Sequence, residues 1–436
     1  AGEVSSYLFW LVQALIANSQ FKEAEEIAKT VSGPNRPVLI AVALEGIAKN
    51  FGNCQPLVDH LQEWYRSTGD GKVLLELCHE LALREEWEQL VAYSGELMAK
   101  IGTVDALRLA VKGYYKTNKA QACLDLLVRY STICEDGILP SDLRRLKVAC
   151  QTQLGHLSKA VVDAEELVRR EPDTQNINLL MDAQLAEGDL KGLAITTRLL
   201  ITSPGTSVRD LLRAARLILH EDIDAARQAW NKAVSQGVLD QDLGLALDLG
   251  FRLGLDNEIG HLTQRARQLA TEGKGPFKPA EFQEIKTWMM SHAKNASLAR
   301  EKYEKGEVPI HLFVDKLNLT LSELLHGISD RNRKNPDPLV QPSIFCWHGG
   351  RQTQRQLLEN CADWNRCLDI TSVILAEELK ILDLIEECFH TVRISRFVPT
   401  ALVQQLDELE TSQPALLTRY RTLERLLREG KAHKAP

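Results

Sequence analysis

The chain has 436 residues, of which 44% are hydrophobic and 25% charged, and it carries a formal net charge of -7. That length exceeds what one hydrophobic core organises, so the sequence must specify either several domains or a repeating architecture. No run approaches the roughly 18 consecutive apolar residues of a membrane span, so no membrane partner is expected, and the acidic balance leaves any nucleic-acid contact to a local patch.

Cysteines at 54, 78, 123, 134, 150, 346, 361, 367 and 388 are odd in number and form no Cys-x-x-Cys pair, which argues against a disulfide framework and a structural zinc site. A reducing, cytoplasmic setting is expected. The opening Ala1-Gly2-Glu3 shows neither an initiator Met nor an export signal and reads as the start of a fragment.

Along the chain a short polar or Gly-containing turn recurs: Asn18-Ser19-Gln20, Asn118-Lys119, Leu154-Gly155-His156, Glu187-Gly188-Asp189 and His220-Glu221-Asp222. The first residue after each turn defines a series, Phe21, Cys54, Trp87, Ala120, Leu157, Leu190, Ile223 and Asp256, spaced by 33 residues except for one step of 37. Three positions on stand Ala24, Leu57, Leu90, Cys123, Ala160, Leu193, Ala226 and Ile259, several of them small, as close helix approach requires. Stripes such as Ile223, Ala226, Trp230, Ala233 and Val234 recur with helical period, and Pro37, Pro172, Pro204 and Gly237 punctuate helix ends. The longer step predicts a loop at 135–140.

Between residues 140 and 240 above all, the Gly188-Asp189-Leu190 turn, the small residue three later and the terminal proline resemble the tetratricopeptide repeat family. The resemblance spans residues 4 to 273 and implies an α-solenoid of about eight helix pairs, whose concave face takes a protein partner.

After Lys274-Gly275-Pro276-Phe277-Lys278-Pro279 the pattern changes. A helix over 280–299 is expected to close the last repeat. From Ile310 to Ile328 runs a helical stripe that Asn318, Leu319 and Thr320 divide or leave whole, and 329–338 reads as an exposed basic loop. Beyond it, strand-like Ser343–Trp347 and Arg366–Ile370 alternate with helix candidates at Gln352–Cys361 and Val373–Phe389. A strand at Val392–Val398 and helices at Pro399–Glu410 and Ala415–Arg428 follow, which implies a small parallel sheet. The expected organisation is a solenoid at 1–273, a helical cap and linker at 274–338, and an α/β module at 339–436.

The segments Leu368-Asp369-Ile370-Thr371-Ser372, Ile381 to Ile385 and Val398 to Val403 resemble the start of a PIN-like nuclease domain. With His348-Gly349-Gly350-Arg351 ahead of them, they are similar to large bacterial proteins that join helical repeats to such a domain. The resemblance implies acidic side chains at strand ends that hold magnesium or manganese for phosphodiester hydrolysis of RNA. Asp369 then takes the place of the first catalytic and metal-binding carboxylate. The matching second position carries Gln405, and Asp407 and Glu408 lie on other faces. Read from the residues alone, Asp369 caps the following helix. Cys367 and His390 suggest a thiol enzyme only superficially, since Cys367 is expected as buried packing; His348 is expected in a turn, and the basic stretch from Arg419 to Lys434 as a solvated face.

Two functions follow from these expectations. The first is an interaction scaffold that binds a partner protein and carries a non-catalytic PIN-like module, with no cofactor. The second is a metal-dependent ribonuclease effector regulated by its repeats, for bacterial defence or toxicity.

Overall fold

A residue in the left-handed backbone region ends several of the first helices and turns the chain into the second: Ser19 (φ 60°), Asn118 (φ 60°), Gly155 (φ 79°) and Gly188 (φ 84°). The second helix then opens on a cap in some pairs. Asp189 accepts a hydrogen bond from Gly192 N at 2.9 Å, and Asp222 accepts one from Ala225 N at 3.0 Å. The computed structural model describes residues 2–33, 35–51, 55–275, 277–335, 337, 339, 341, 343–344, 366–389, 392–409 and 425.

Helices pair in sequence: α1 (Gly2–Ala17) with α2 (Phe21–Thr30), α3 (Arg36–Phe51) with α4 (Gln55–Thr68), and α5 (Gly71–Leu83) with α6 (Trp87–Lys100). They continue as α7 (Val104–Lys116) with α8 (Ala120–Arg129), α9 (Ser141–Gln153) with α10 (Leu157–Arg170), and α11 (Thr174–Glu187) with α12 (Leu190–Thr202). The pairs α13 (Val208–Leu217) with α14 (Ile223–Gln236), and α15 (Leu243–Arg252) with α16 (Gly260–Thr271), complete a solenoid-like order. Phe21, Trp87, Ala120, Leu157, Leu190 and Ile223 are each the first residue of a second helix. Cys54 lies outside the described residues, and Asp256 falls in the turn ahead of α16.

The side chain three residues further is the packing pivot. Ala24, Leu90, Cys123, Ala160, Leu193 and Ala226 are wholly enclosed, and Leu57 and Ile259 nearly so. Where that pivot is large, the facing helix can yield its Cβ: a methyl at Gly113 would stand 2.6 Å from Leu90 Cδ2, and one at Gly250 2.3 Å from Ile259 Cγ2. The fully buried Trp230 donates from Nε1 to Ala246 O at 2.7 Å, tying α14 to α15. The connection lengthened by four residues contains two short 3-10 turns at Ser131–Ile133 and Glu135–Gly137, and Arg144 ties down its end by donating to Leu139 O at 2.8 Å. Pro37 opens the first turn of α3, where its missing N–H costs nothing, and so starts a helix where a stop was expected.

The chain divides into two compact units, Ala1–Arg170 and Glu171–Pro436. In the first unit, first helices also pack on one another, α1 on α3, α5 on α7 and α7 on α9, to a degree its second helices do not match. The first helices therefore form the inner layer of the stack, because the layer with closer neighbours is the inside of a curve.

In the second unit, α13–α14 packing is extended by α12 on α14 and α13 on α15. Then come α17 (Phe282–Glu304), α18 (Ile310–Leu317), α19 (Leu321–Lys334), β1 (Arg366–Leu368), α20 (Ile370–Glu378), α21 (Leu382–Phe389), β2 (Val392–Ile394) and α22 (Val398–Leu409). Strands β1 and β2 pair in parallel, Arg366 with Val392 and Leu368 with Ile394. Helix α22 packs on α19 and α20 and reaches back to α11.

Several elements differ from expectation. The stripe from Ile310 is two helices, because Asn318 adopts a left-handed conformation (φ 53°). Helix α19 runs on through Lys334 where a loop was expected, since Asp330 pairs with Arg333 and Lys334 one turn ahead and the cations face the helix C-terminus. The span Val373–Phe389 breaks at Lys380, also left-handed (φ 55°). Strand β2 stops at Ile394, ahead of a turn at Arg396 and Phe397. Ser343 and Ile344 are not in a strand; the rest of that segment, Gln352–Cys361, and Ala415–Arg428 apart from Arg425 lie outside the described residues.

The Gly113 contact yields a direct test. Gly113→Ala forces Leu90 aside and is expected to destabilise the chain by about 1–3 kcal/mol, read as a lower midpoint in urea unfolding, whereas an alanine at the open Gly95 on α6 raises the midpoint, by about 0.5–1 kcal/mol in stability.

Candidate interaction surfaces and the Asp369 site

Two surfaces carry chemistry. The first is the inner layer of first helices. Between α3 and α5, Glu45, Glu76 and the buried Glu80 gather around Lys49, which pairs with Glu45. Burial pushes the Glu80 carboxyl up, and the neighbouring Glu76 and Glu45 push it further. Next along the layer, Arg108 on α7 bridges to Asp142 on α9 at 2.8 Å and to Asp105 at 2.8 Å. Acidic and basic groups thus alternate along one layer.

The second surface is built by α17, α18 and α19. Tyr303 and Phe313 stack with ring centroids 4.4 Å apart and 4° between planes, and Ala299, Ile310, Val314, Leu321, Leu324 and Leu325 close the core around them. The three-residue turn between α18 and α19 is tightly specified. Leu319 N donates to Val314 O, Thr320 Oγ1 accepts from Glu323 N at 3.1 Å, and Glu323 Oε2 accepts from Thr320 N at 2.7 Å, a reciprocal capping box. This is helix–turn–helix geometry. Ile344, Ile374 and Leu375 pack against the same core, so the β1–α20 segment is seated on it.

Residues 282–351 match the family model described as HTH_upstream_double_PIN. The match begins at the first residue of α17, covers all three helices and ends at Arg351, beyond the described part of that segment. In this stretch the chain is similar to a helix–turn–helix family whose description places it upstream of a double PIN region. No curated protein matches the chain.

The electrostatics of α19 are informative. Its first turn holds Glu323, engaged in the capping box, and its cations, Arg331, Arg333 and Lys334, sit in the last turn. Lys334 and Arg333 both hydrogen-bond Asp330 and hold its carboxyl below the usual carboxylate range. A DNA-reading helix presents its N-terminal residues to base edges and neutralises phosphates nearby, and α19 has no cation in that turn.

Asp369 ends β1 and caps α20, accepting from Ser372 N at 2.7 Å. Partial burial pulls its carboxyl upward, but the hydrogen bonds from Ser372, with His311 of α18 nearby, outweigh that and hold it below the ordinary value. Gln405 lies half-buried on α22, with its carbonyl oxygen enclosed and accepting no hydrogen bond among the described residues. The side chains of Asp407 and Glu408, like His348 and His390, lie outside the described residues. Among the described residues no three His, Cys, Asp or Glu side chains gather in a metal-binding group. Asp369 alone, a carboxylate committed to a helix cap, supplies too little charge to hold a divalent ion.

Cys367 is exposed, not buried as expected; among the described residues β1 has only β2 beside it. Cys78, by contrast, is enclosed in α5, and burial pushes its thiol up to about 12. No helix among the described residues is long and apolar enough to cross a membrane.

Capping predicts how α20 responds to mutation. Asp369→Ala is expected to cost about 0.5–2 kcal/mol and to speed amide exchange at Ile370–Val373, while Asp369→Asn, an equally good cap, leaves exchange near the wild-type rate.

Proposed function

We propose that this chain is a protein-interaction scaffold whose tetratricopeptide-like helix pairs take a partner along their inner layer. The observation that carries the reading is the packing of first helix on first helix, α1 on α3 and, further along, α5 on α7 and α7 on α9, which lines one layer with side chains from successive pairs. In that layer Glu76 and Arg108 stand exposed on neighbouring first helices. An extended segment or helix of a partner laid across them meets a repeating set of apolar and charged groups, the arrangement from which repeat arrays build large contact areas out of small units. The helix–turn–helix then joins the array to a PIN-like α/β segment, and the alternation of β1, α20, β2 and α22 supports that assignment.

A second reading, a metal-dependent ribonuclease, is supported by the family description, which places a helix–turn–helix of this kind upstream of a double PIN region. In that reading Asp369 supplies one carboxylate of the site and the others come from residues beyond those described around it.

The scaffold reading is tested by placing a photocrosslinking residue at Glu76 or Arg108, on the inner layer, and at Gln121 on α8. A discrete crosslinked partner at the first two positions and none at the third is expected; equal labelling at all three contradicts it. For the second reading, RNA is incubated with the chain and manganese. Cleavage that falls at least about 100-fold in Asp369→Asn, which keeps the cap, would support it, and no cleavage, or cleavage indifferent to that change, removes it.

A further inference from the structure

A stack of helix pairs ends where the last pair has no further helix to pack against, and the apolar face left there needs cover. Along the array the second helix of one pair seats the first helix of the next: α2 packs on α3, α4 on α5, α6 on α7 and α8 on α9 in the first unit, and α12 on α13 and α14 on α15 in the second. Helix α16 has no comparable successor among the described residues. Helix α17, expected to close the last repeat, packs on α18 instead. Burial shows the consequence, since α14 encloses Ala225, Ala226, Ala229, Trp230 and Ala233, whereas α16 encloses Leu262 and Ala266 alone. What remains is a cleft of about 520 Å³, lined by Leu247 and Phe251 of α15, Ala266 and Ala270 of α16, and Phe277 and Pro279 of the segment that follows. Phe251 is 56% exposed, so the cleft is open to solvent.

We propose that this cleft seats an amphipathic helix of a partner protein, one whose apolar stripe is flanked by acidic side chains. Two arguments select that occupant. The first is the stacking rule, because the outer face of a pair is where a first helix sits at each of the junctions named above, and a helix laid in an apolar groove is the same contact made between chains. The second is charge. Arg267 and Lys278 line the cleft and no carboxylate does, and neither cation has an ion pair or a side-chain hydrogen bond among the described residues. The acidic groups beside it, Asp248 and Glu272, are engaged by Arg252 and Lys274. An incoming helix with Asp or Glu along its edges therefore meets two free cations and no opposing anion. A basic helix would meet repulsion, which disfavours the chain's own exposed apolar helix as occupant: α17 carries Lys286 and Lys294 with no acidic residue from Ile285 to Leu298, and Glu281 and Glu284 are held in its capping box. The seat lies at the end of the array and shares no residue with the inner layer, so it stands apart from the scaffold reading above.

The test titrates the full 436-residue chain into a fluorescein-labelled helical peptide with a Leu/Ala stripe flanked by Glu, and into the same peptide with Lys in place of Glu, reading anisotropy. The Glu peptide should bind with a dissociation constant on the order of 10–100 µM and the Lys peptide at least about tenfold more weakly. Phe251→Glu, a change at an exposed side chain, should weaken the Glu peptide at least about tenfold while far-UV circular dichroism stays unchanged, and Phe282→Glu on α17 should leave binding as it was. Arg267→Glu combined with Lys278→Glu should reverse the preference, so that the Lys peptide becomes the tighter ligand. No binding of the Glu peptide at about 1 mM overturns the proposal, as does binding indifferent to Phe251→Glu or equal for the two peptides. A chain that sediments as a dimer, and as a monomer once Phe251→Glu is introduced, overturns the partner helix in favour of a second copy.

Discussion

Each landmark is followed three positions on by a buried side chain against which a neighbouring helix packs: alanine serves at positions 24, 160 and 226, whereas Leu90 of α6 faces Gly113 on α7 and Ile259, just ahead of α16, faces Gly250 on α15. Because one pair cannot bury its stripe alone, the constraint passes from pair to pair, and stability resides in the interfaces between sequence neighbours. The recurrence of 33 residues is the trace of this rule in the sequence. The single step of 37 is accommodated in the loop between α8 and α9, leaving the pivots Cys123 and Ala160 in register.

The second unit adds a different kind of contact. The helix–turn–helix core accepts Ile374 and Leu375 of α20, and α22 returns to α11, so residues about 200 positions apart in sequence are neighbours within one unit. This is why α11 is enclosed on several sides, with Asn176, Leu180, Met181, Gln184 and Leu185 all buried. A helix covered all round shows little amphipathic contrast, and α11 has no clear polar face to read from sequence.

What the sequence made legible was local and periodic. Six of the eight landmarks fall on the first residue of a second helix, because a left-handed turn residue followed by a polar cap is a chemical signal that survives without tertiary context. The break between α18 and α19 was ambiguous because the apolar stripe keeps its period across Asn318. The Thr320-x-x-Glu323 capping box was the signal that separates the two helices. At the candidate site, the capping reading of Asp369 matches the hydrogen bond it makes, whereas the metal-binding role came from resemblance alone. The exposure of Cys367 was not legible, since a three-residue strand gives no count of the strands beside it.

The claim on which the rest stands is that the helix pairs are stabilised by their sequence neighbours. Amide hydrogen exchange of Leu97→Ala, which removes a fully buried side chain from α6, tests it most directly. Protection should fall in α5, α6 and α7 and persist in α13, α14 and α15. Protection lost evenly from Gly2 to Thr271 would contradict the account.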